Sequence, residues 1–568
     1  MAIGIPIHAT IRNVRRYQHV VRVLVRYGFS SFVQETGLDR LLERGLSIFT
    51  GEQTSAIEHL SAPERVRRAM EELGPTFIKL GQILSTRRDL VPDEWAAEFS
   101  RLQDSVPAVG FELIKARLDE EFGDRLSTIF KHIDPKPLAA ASMAQVHTAE
   151  LMDGTRVVLK ILRPGIDDIV ASDMEALRAI AGLVEDRVKN LGVSPRAVVD
   201  EFSRQLEREL DLTHEGRSTD RLRRAFADDP MVGFPAVFWE GTTENVLTLE
   251  LIEPATLSRT DPDSIPAADR TAAVQHGARA VLRQCLEIGF FHADPHPGNL
   301  IIQPGGRVVF IDMGMTGLIE SETRRLIADL VYGASVGNVE GVAKAALMLG
   351  DVDPQEVDER ALRRDVQEIV GLFDDVPLER FNLSQLLELF FSALRRHHVR
   401  VPADLSLLIK ALGSIEGVAR SLDPSFDMVS CARPYVEKIL LEQSGPAAIA
   451  RRAREAAIAY ARFAESLPDE VGDLLDRLRR NRLTINLEHQ GLTSVTTVIE
   501  HASRNISFAL VIAALVVASS ILILSQRGHP GWIWSIVGGC GFILAGLIGL
   551  VLMRANRSFT KRNLQPRR

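Results

Sequence analysis

Four residues in this chain have the types and the order needed to hold a magnesium–triphosphate. Asp294 and Asn299 lie in the run Phe291-His-Ala-Asp-Pro-His-Pro-Gly-Asn299, and Asp312 opens the triplet Asp312-Met313-Gly314, 18 positions after Asp294. Lys160 closes the apolar run Val157-Val-Leu-Lys160 far upstream. Asn299 and Asp312 are hard oxygen donors of the kind Mg²⁺ takes, together with waters and phosphate oxygens. Lys160 is a compact cation suited to the α- and β-phosphates, and Asp294 is placed to orient a nucleophile or take its proton. Singly, each residue has an ordinary structural reading, since a lysine at a strand end is usually solvated and Asp-Pro is usually a turn. The spacing His292-x-Asp294-x₄-Asn299 alone arises by chance in fewer than about one chain in ten, taking each residue type at about one in twenty. The set in this order points to phosphoryl-transfer chemistry: a cation for the inner phosphates, a carboxylate for the nucleophile and two oxygen donors for the metal.

The elements that must position these residues are legible around them. Gln145-Val-His-Thr-Ala-Glu-Leu151 alternates, Asp153-Gly154 makes a hairpin turn, and Arg156–Leu162 follows as the next strand. Helical periodicity fills 170–230, a strand is predicted at Val246–Ile252, and a helix near 266–289. Beyond Phe310 the chain reads as almost wholly helical. Ser61-Ala-Pro-Glu64 is a capping box that opens a helix ending at Gly74-Pro75, where a second helix begins. No glycine-rich loop precedes the hairpin. Its place is taken by Ala139, Ala140, Ala141 and Ser142. Alanine avoids positive φ and its Cβ keeps the backbone away from a phosphate, so a weaker grip on the transferring group is predicted. No Ala-Pro-Glu triplet follows Asp312, which argues against an ordinary peptide-substrate platform. His296 is read as a turn residue as readily as a catalytic one. His397 and His398 read as a solvated pair, because neighbours on a helix point in different directions.

Composition excludes several classes. Lys plus Arg is 67 and Asp plus Glu 75 in 568 residues, a formal charge of −8, so a basic nucleic-acid-coating surface is not expected. Three widely separated cysteines exclude a disulfide scaffold or zinc ribbon and fit a reducing compartment. Near the C-terminus, 22 uncharged residues separate Arg504 from Arg527, and 24 more separate His529 from Arg554. Each stretch can cross about 30 Å of hydrocarbon at about 1.5 Å per residue. Basic residues gather outside this hairpin, at Arg504 and from Arg554 to Arg568, so both of its ends are expected on the cytoplasmic side. Arg12, Arg15 and Arg16 come too early for a secretory signal peptide. Residues 11–50 form a basic amphipathic helix that either lies on a membrane or packs on its own domain.

These motifs together resemble the UbiB family of atypical kinase-like ATPases, over roughly residues 60–430. Lys79-Leu-Gly-Gln82 looks like that family's K-x-G-Q signature, Ala139–Ser142 its alanine-rich loop, Glu209-Leu-Asp211 its E-x-D pair, and Phe291–Asn299 its catalytic loop. The resemblance implies that Lys79 and Gln82 sit on a helical extension that folds over the active site and meets Glu209 and Asp211, restraining phosphorylation in trans. It also implies that Glu215 partners Lys160, with an inserted helix between them, and that Glu250 and Ile252 belong to the hinge that reads adenine. Met313 stands where the family carries Phe, and its apolar, adaptable side chain can fill that site.

The expected fold is α+β: a bilobal protein-kinase-like fold with a helical N-terminal extension and a C-terminal two-helix transmembrane hairpin. The expected domains are an amphipathic region at 1–58, the extension at 59–134, a kinase-like N-lobe with inserted helices at 135–255 and a helical C-lobe at 256–440. A juxtamembrane helical segment at 441–503, the hairpin at 504–554 and a basic cytoplasmic tail at 555–568 complete the chain. The cofactors are ATP and Mg²⁺. The resemblance implies a bacterial inner-membrane protein supporting ubiquinone biosynthesis, with lipids and prenylated quinone precursors as partners, other quinone-biosynthesis enzymes beside it, no nucleic acid, and room for a homodimer. Two other functions fit the residues: a nucleotide-binding pseudokinase scaffold without chemistry, or a kinase acting on a small molecule or lipid.

Overall fold

The computed structural model describes residues 7–31, 33, 59–87, 90–102, 106–187, 194–254, 256–350, 357–372, 383–397, 399 and 402–444. Towards the C-terminus it describes 506, 509–521, 540, 541 and 543–546. The chain divides into two units between Ala453 and Arg454.

The first unit begins with α1 (Ile7–Arg26), α2 (Ala62–Leu73), α3 (Pro75–Thr86), α4 (Asp93–Phe99) and α5 (Phe111–Phe122). The Ser61 hydroxyl accepts the Glu64 N–H at the start of α2, as the capping box predicts. Gly74, at φ 100°, ends α2, and Pro75 starts α3 at once. The choice left open for the basic N-terminal helix resolves in favour of packing on its own domain. Tyr17, Val20, Val21 and Val23 of α1 are buried, Arg16 pairs with the fully buried Asp173, and Arg15 and Arg22 face outwards.

A four-stranded antiparallel sheet follows, in the order β1 (Phe130–Ala140), β2 (Ala144–Leu151), β3 (Arg156–Leu162) and β5 (Val246–Glu250). Its first strand starts at Phe130, five residues before the expected N-lobe boundary, so the sheet reaches further towards α5 than the sequence pattern indicated. Between β3 and β5 lie α6 (Ile166–Arg187), α7 (Pro195–Glu209), α8 (Leu212–Ala225) and the two-residue β4 (Val232–Gly233). The alternation of β3 decides what its two faces meet. Val157, Leu159 and Ile161 are wholly buried in a core shared with Ile114, Leu118 and Phe122 of α5. Leu162 points the other way, into a second core built with the inserted helices and the extension. There Met70, Phe77, Ile78 and Phe99 share one cluster with Met174, Phe202, Leu206, Leu247 and Leu249.

The second lobe is mainly helical. After α9 (Ala267–Leu282) and a wider π-type turn, Arg283–Ile288, come β6 (Phe290–His292), β7 (Leu300–Gln303), β8 (Arg307–Phe310) and β9 (Thr316–Leu318). Then follow α10 (Ser321–Ser335), α11 (Val339–Leu349), α12 (Glu359–Gly371), α13 (Leu383–Arg396), α14 (Ala403–Leu422) and α15 (Met428–Ser444). Phe291, Phe310, Phe390 and Phe391 anchor their common core at under 2% exposure.

The second unit includes helical residues 509–521 and short helical pieces at 540–541 and 543–546. Among the described residues no helix is long and apolar enough to cross a membrane. Most of the expected hairpin, including Trp532 and Trp534, the juxtamembrane segment beyond Ser444, whose first four residues continue α15, and the basic tail lie outside the described residues.

Candidate active site

Lys160 sits on the face of β3 opposite the buried Val157 and Leu159, so its ammonium reaches past the sheet towards α8. Its Nζ donates to Glu215 Oε2 at 2.7 Å and to Asp312 Oδ2 at 3.3 Å. The Asp211 carboxylate caps α8 by accepting the Thr213 N–H at 3.0 Å, which fixes the turn that carries Glu215. Burial pulls the Lys160 ammonium down, but the Asp312 and Glu215 carboxylates more than reverse this and raise its pKa above the ordinary value. Burial pushes Glu215 up to about 7, against the pull of Lys160. Asp312 would also be raised by burial. The Lys160 charge and the Gly314 N–H, which donates to Oδ1 at 2.8 Å, hold it below the usual carboxylate range instead.

The other half of the site comes from two short antiparallel pairings. β6 pairs with β9, and β7 with β8. Asn299 directly precedes β7 and Asp312 follows β8 by one residue, and the Ile311 N–H donates to the Asn299 carbonyl at 3.1 Å, so the two ligand candidates stand at one end of one hairpin. The Asn299 side-chain amide donates to the Asp294 carbonyl at 3.2 Å, which leaves its oxygen for a cation. An ionised Asp312 and a free amide oxygen of Asn299 are the donor set Mg²⁺ requires, so the residues fit the metal. Gly289, at φ 77°, ends the π-type turn just before β6, where a Cβ would come within 2.6 Å of the Ile319 carbonyl oxygen. His292 is buried, and burial lowers its pKa. Its Nδ1 lies 3.3 Å from the Met315 carbonyl, and it holds the loop rather than exchanging protons with solvent. His296 is structural: its Nδ1 accepts the Gly298 N–H at 2.9 Å. Met313 is 1% exposed in the lobe core, as its apolar character predicts.

The alanine-rich segment is partly strand. Ala139 and Ala140 pair with Val146 and Gln145, so only Ala141, the buried Ser142 and Met143 make the turn. Arg163 fastens that turn, donating to the Ala141 carbonyl at 2.9 Å and to the Pro107 carbonyl at 3.0 Å. At the hinge, the Glu250 N–H is occupied by the Ala236 carbonyl at 2.9 Å, so of the two expected hinge residues Ile252 is the better placed to offer a backbone N–H. The extension signature is brought together only in part. Lys79, on α3, forms an ion pair with Glu209 at the end of α7. Gln82 instead donates to the Leu102 carbonyl at 3.3 Å, and Asp211 is engaged as a helix cap with Thr213, because Gln82 stands nearly a turn further along α3 than Lys79. Gly81 between them lets α3 approach closely, since a Cβ there would press on the Leu102 and Met70 side chains. His397 bonds Asp365 at 3.1 Å instead of being solvated, and no cluster of three or more His, Cys, Asp or Glu side chains placed to hold a metal forms among the described residues.

One residue went unnoticed in the sequence. Lys410 of α14 places its Nζ 3.0 Å from Asp294 Oδ2. Its signal is a lone cation in Leu407-Leu-Ile-Lys410-Ala-Leu412, between the fully buried Leu408 and Ala411.

An antiparallel sheet over a helical lobe, with a lysine–glutamate pair and an Asp-x-Gly turn between them, defines a protein-kinase-like site. Comparisons with known proteins agree and narrow the class. Residues 101–346 match the ABC1 atypical kinase-like domain, 366–427 the UbiB helical domain, and 490–556 the ABC1/UbiB kinase-like C-terminal domain. A probable protein kinase UbiB of Marinobacter nauticus is 30% identical over 86% of this chain and 91% of its own. An uncharacterized protein of Synechocystis is 34% identical over 81% and 80%. The Arabidopsis chloroplast protein Activity of BC1 Complex Kinase 7 is 34% identical over 66% of this chain and 54% of its own. The chain belongs to the UbiB family of atypical kinases.

Proposed function

We propose that this protein is a membrane-anchored atypical kinase or ATPase that uses Mg·ATP to handle lipid-soluble quinone precursors, or the enzymes that modify them, at a bacterial inner membrane. The observation that carries the catalytic part is the joint engagement of Lys160 by Glu215 and Asp312, with Asn299 beside them. A bound Mg²⁺ would neutralise charge on the β- and γ-phosphate oxygens, held by Asp312 and Asn299. Lys160 binds the α- and β-phosphates, Asp294 orients the nucleophile, and the hinge at Ile252 receives the base. The short, clamped Ala141–Met143 turn keeps the backbone off the terminal phosphate and limits transfer to large acceptors. A pseudokinase scaffold is the second reading, favoured by that same turn. The full set Lys160, Asp294, Asn299 and Asp312 speaks for chemistry.

The membrane part rests on the second unit. Leu510 is 66% exposed, Ile521 60% and Ile543 66%, whereas the small residues Ser519 and Ala545 are buried. A Cβ on Gly541 would lie 2.1 Å from Ser519 Oγ. Large apolar side chains facing outwards and small residues at the helix contact are the pattern of helices packed in lipid. The quinone link rests on the family resemblance and on the UbiB name of the Marinobacter relative.

The test is ATP turnover by the full chain in lipid vesicles. Asp312→Asn should lower it at least about 100-fold while the protein stays folded. Unchanged turnover would refute the site, and release of the chain from membranes by a carbonate wash would refute the anchor.

A further inference from the structure

Phosphoryl transfer concentrates negative charge at the terminal phosphate, and a cation there is worth much of the rate. The loop His292-Ala-Asp-Pro-His-Pro-Gly-Asn299 contains no lysine or arginine. His296, two residues after Asp294, turns its Nδ1 back to accept the Gly298 N–H. Lys160 is engaged on the other side, between Glu215 and Asp312.

A cation is nevertheless present beside Asp294, and it comes from another part of the chain. Lys410 Nζ lies 3.0 Å from Asp294 Oδ2 and 3.8 Å from Met315 Sδ, so it stands between the catalytic loop and the segment that follows the Asp312 turn. The placement is braced on both sides. The Ala293 N–H donates to the Met315 carbonyl at 2.9 Å, and α14 packs against β9, where the Asp404 carboxylate accepts the Leu318 N–H. Lys410 is 31% exposed and Asp294 28%, so both ends of the pair are open to a ligand.

We propose that Lys410, contributed by the helical domain, is the cation that recognises the terminal phosphate of a bound nucleoside triphosphate. A base that takes the nucleophile's proton lies about 3 Å from it, and the nucleophile about 3 Å from phosphorus, so Lys410, 3.0 Å from Asp294, stands within about 6 Å of the nucleophile and about 9 Å of the phosphorus, a span its flexible side chain and the γ-oxygens can close. In hydrolysis the water oxygen bonds to the γ-phosphorus as the bridging oxygen leaves with ADP, and the water proton passes to Asp294. Lys410 remains protonated throughout and neutralises the γ-oxygens. This assignment rests on the nucleotide reading above, and it separates tri- from diphosphates because only the former reaches Lys410.

The experiment measures binding of Mg·AMP-PNP and Mg·ADP, and ATP turnover, by the full chain in detergent micelles, for wild type, Lys410→Met, Lys410→Gln and Lys410→Arg. The wild type should prefer the triphosphate. Met and Gln should reduce that preference about tenfold and turnover about 10- to 100-fold, with Mg·ADP affinity within about twofold of wild type and an unchanged melting temperature, and Arg should restore most of both. Retention of the triphosphate preference in Met and Gln, even with slower turnover, would overturn the assignment and leave Lys410 as a positioning residue for Asp294. Parallel loss of Mg·ADP binding would overturn it too. A wild type that binds neither nucleotide would instead remove the nucleotide site itself, and the assignment with it.

Discussion

Glu215 is held in an unfavourable ionisation state, and its replacement should show this as a pH-dependent gain in stability. Burial raises its carboxyl to about 7 from an ordinary 4.5. A group whose folded pKa is raised contributes its full stability below the unfolded value and loses it as pH rises through the folded one. The difference between about 7 and 4.5 corresponds to about 3 kcal/mol at about 1.4 kcal/mol per pH unit. Asp312 does not titrate in the same window. Its pKa is lowered from 3.8, so its contribution is present above that value and lost only in acid. The pKa of Lys160 is raised from 10.5, so its contribution is complete below that value and lost only in alkali. Glu215→Gln mimics the protonated acid at every pH. For the unit Met1–Ala453, an unfolding entropy of about 1 kcal/mol per kelvin converts 3 kcal/mol into about 3 °C. The melting temperature of Glu215→Gln minus that of wild type should therefore rise by about 3 °C between pH 5 and pH 8. Calorimetry of the two proteins across that range measures it, and ATP turnover of the variant at pH 8 should fall because Lys160 then faces a neutral amide instead of the carboxylate it meets at 2.7 Å. A difference that stays flat with pH would refute the claim that burial dominates this carboxylate.

Two further outcomes concern the extension. Gly81→Ala should destabilise its docking by about 1–3 kcal/mol, because the new Cβ would fall 2.2 Å from Leu102 Cδ1 and 2.8 Å from Met70 Sδ; earlier proteolytic cleavage within 59–102 reports it. Glu209→Gln should remove one carboxylate from beside Lys79 and speed amide exchange across Pro75–Thr86 several-fold, at a cost of about 1 kcal/mol in global stability, and unchanged exchange would show the ion pair to be idle.

The make-up of the candidate site was legible where residue types stand at fixed spacing. Lys160, Asn299 and Asp312 come together because a hairpin strand and two short pairings each place one end at the same edge; alternation and turn residues announce the hairpin strand, whereas β6, β7, β8 and β9, three or four residues each, are too short to show it. The hairpin at Asp153-Gly154 and the cap at Ser61 were legible for the same reason. Long-range placement was not. Gln82 reaches Leu102 and Asp211 turns to Thr213 because helix rotation and local capping decide their partners, and neither is encoded in the spacing between the two motifs. Lys410 lies 116 positions after Asp294 in a run of leucines, and only the packing of α14 on β9 brings the two together. The start of β1 at Phe130 was hidden because Asp134, Pro135 and Pro137 interrupt its alternation.

The extension and the sheet lobe solidify as one body, because Phe77, Ile78 and Phe99 fill the same interior as Phe202, Leu206 and Leu247. A flap that swung away would bare a greasy flank on each piece. Any switching at Lys79 must therefore work by sliding through a fraction of a helical turn, and a catalytic fragment trimmed to begin after residue 102 should precipitate rather than run unrestrained.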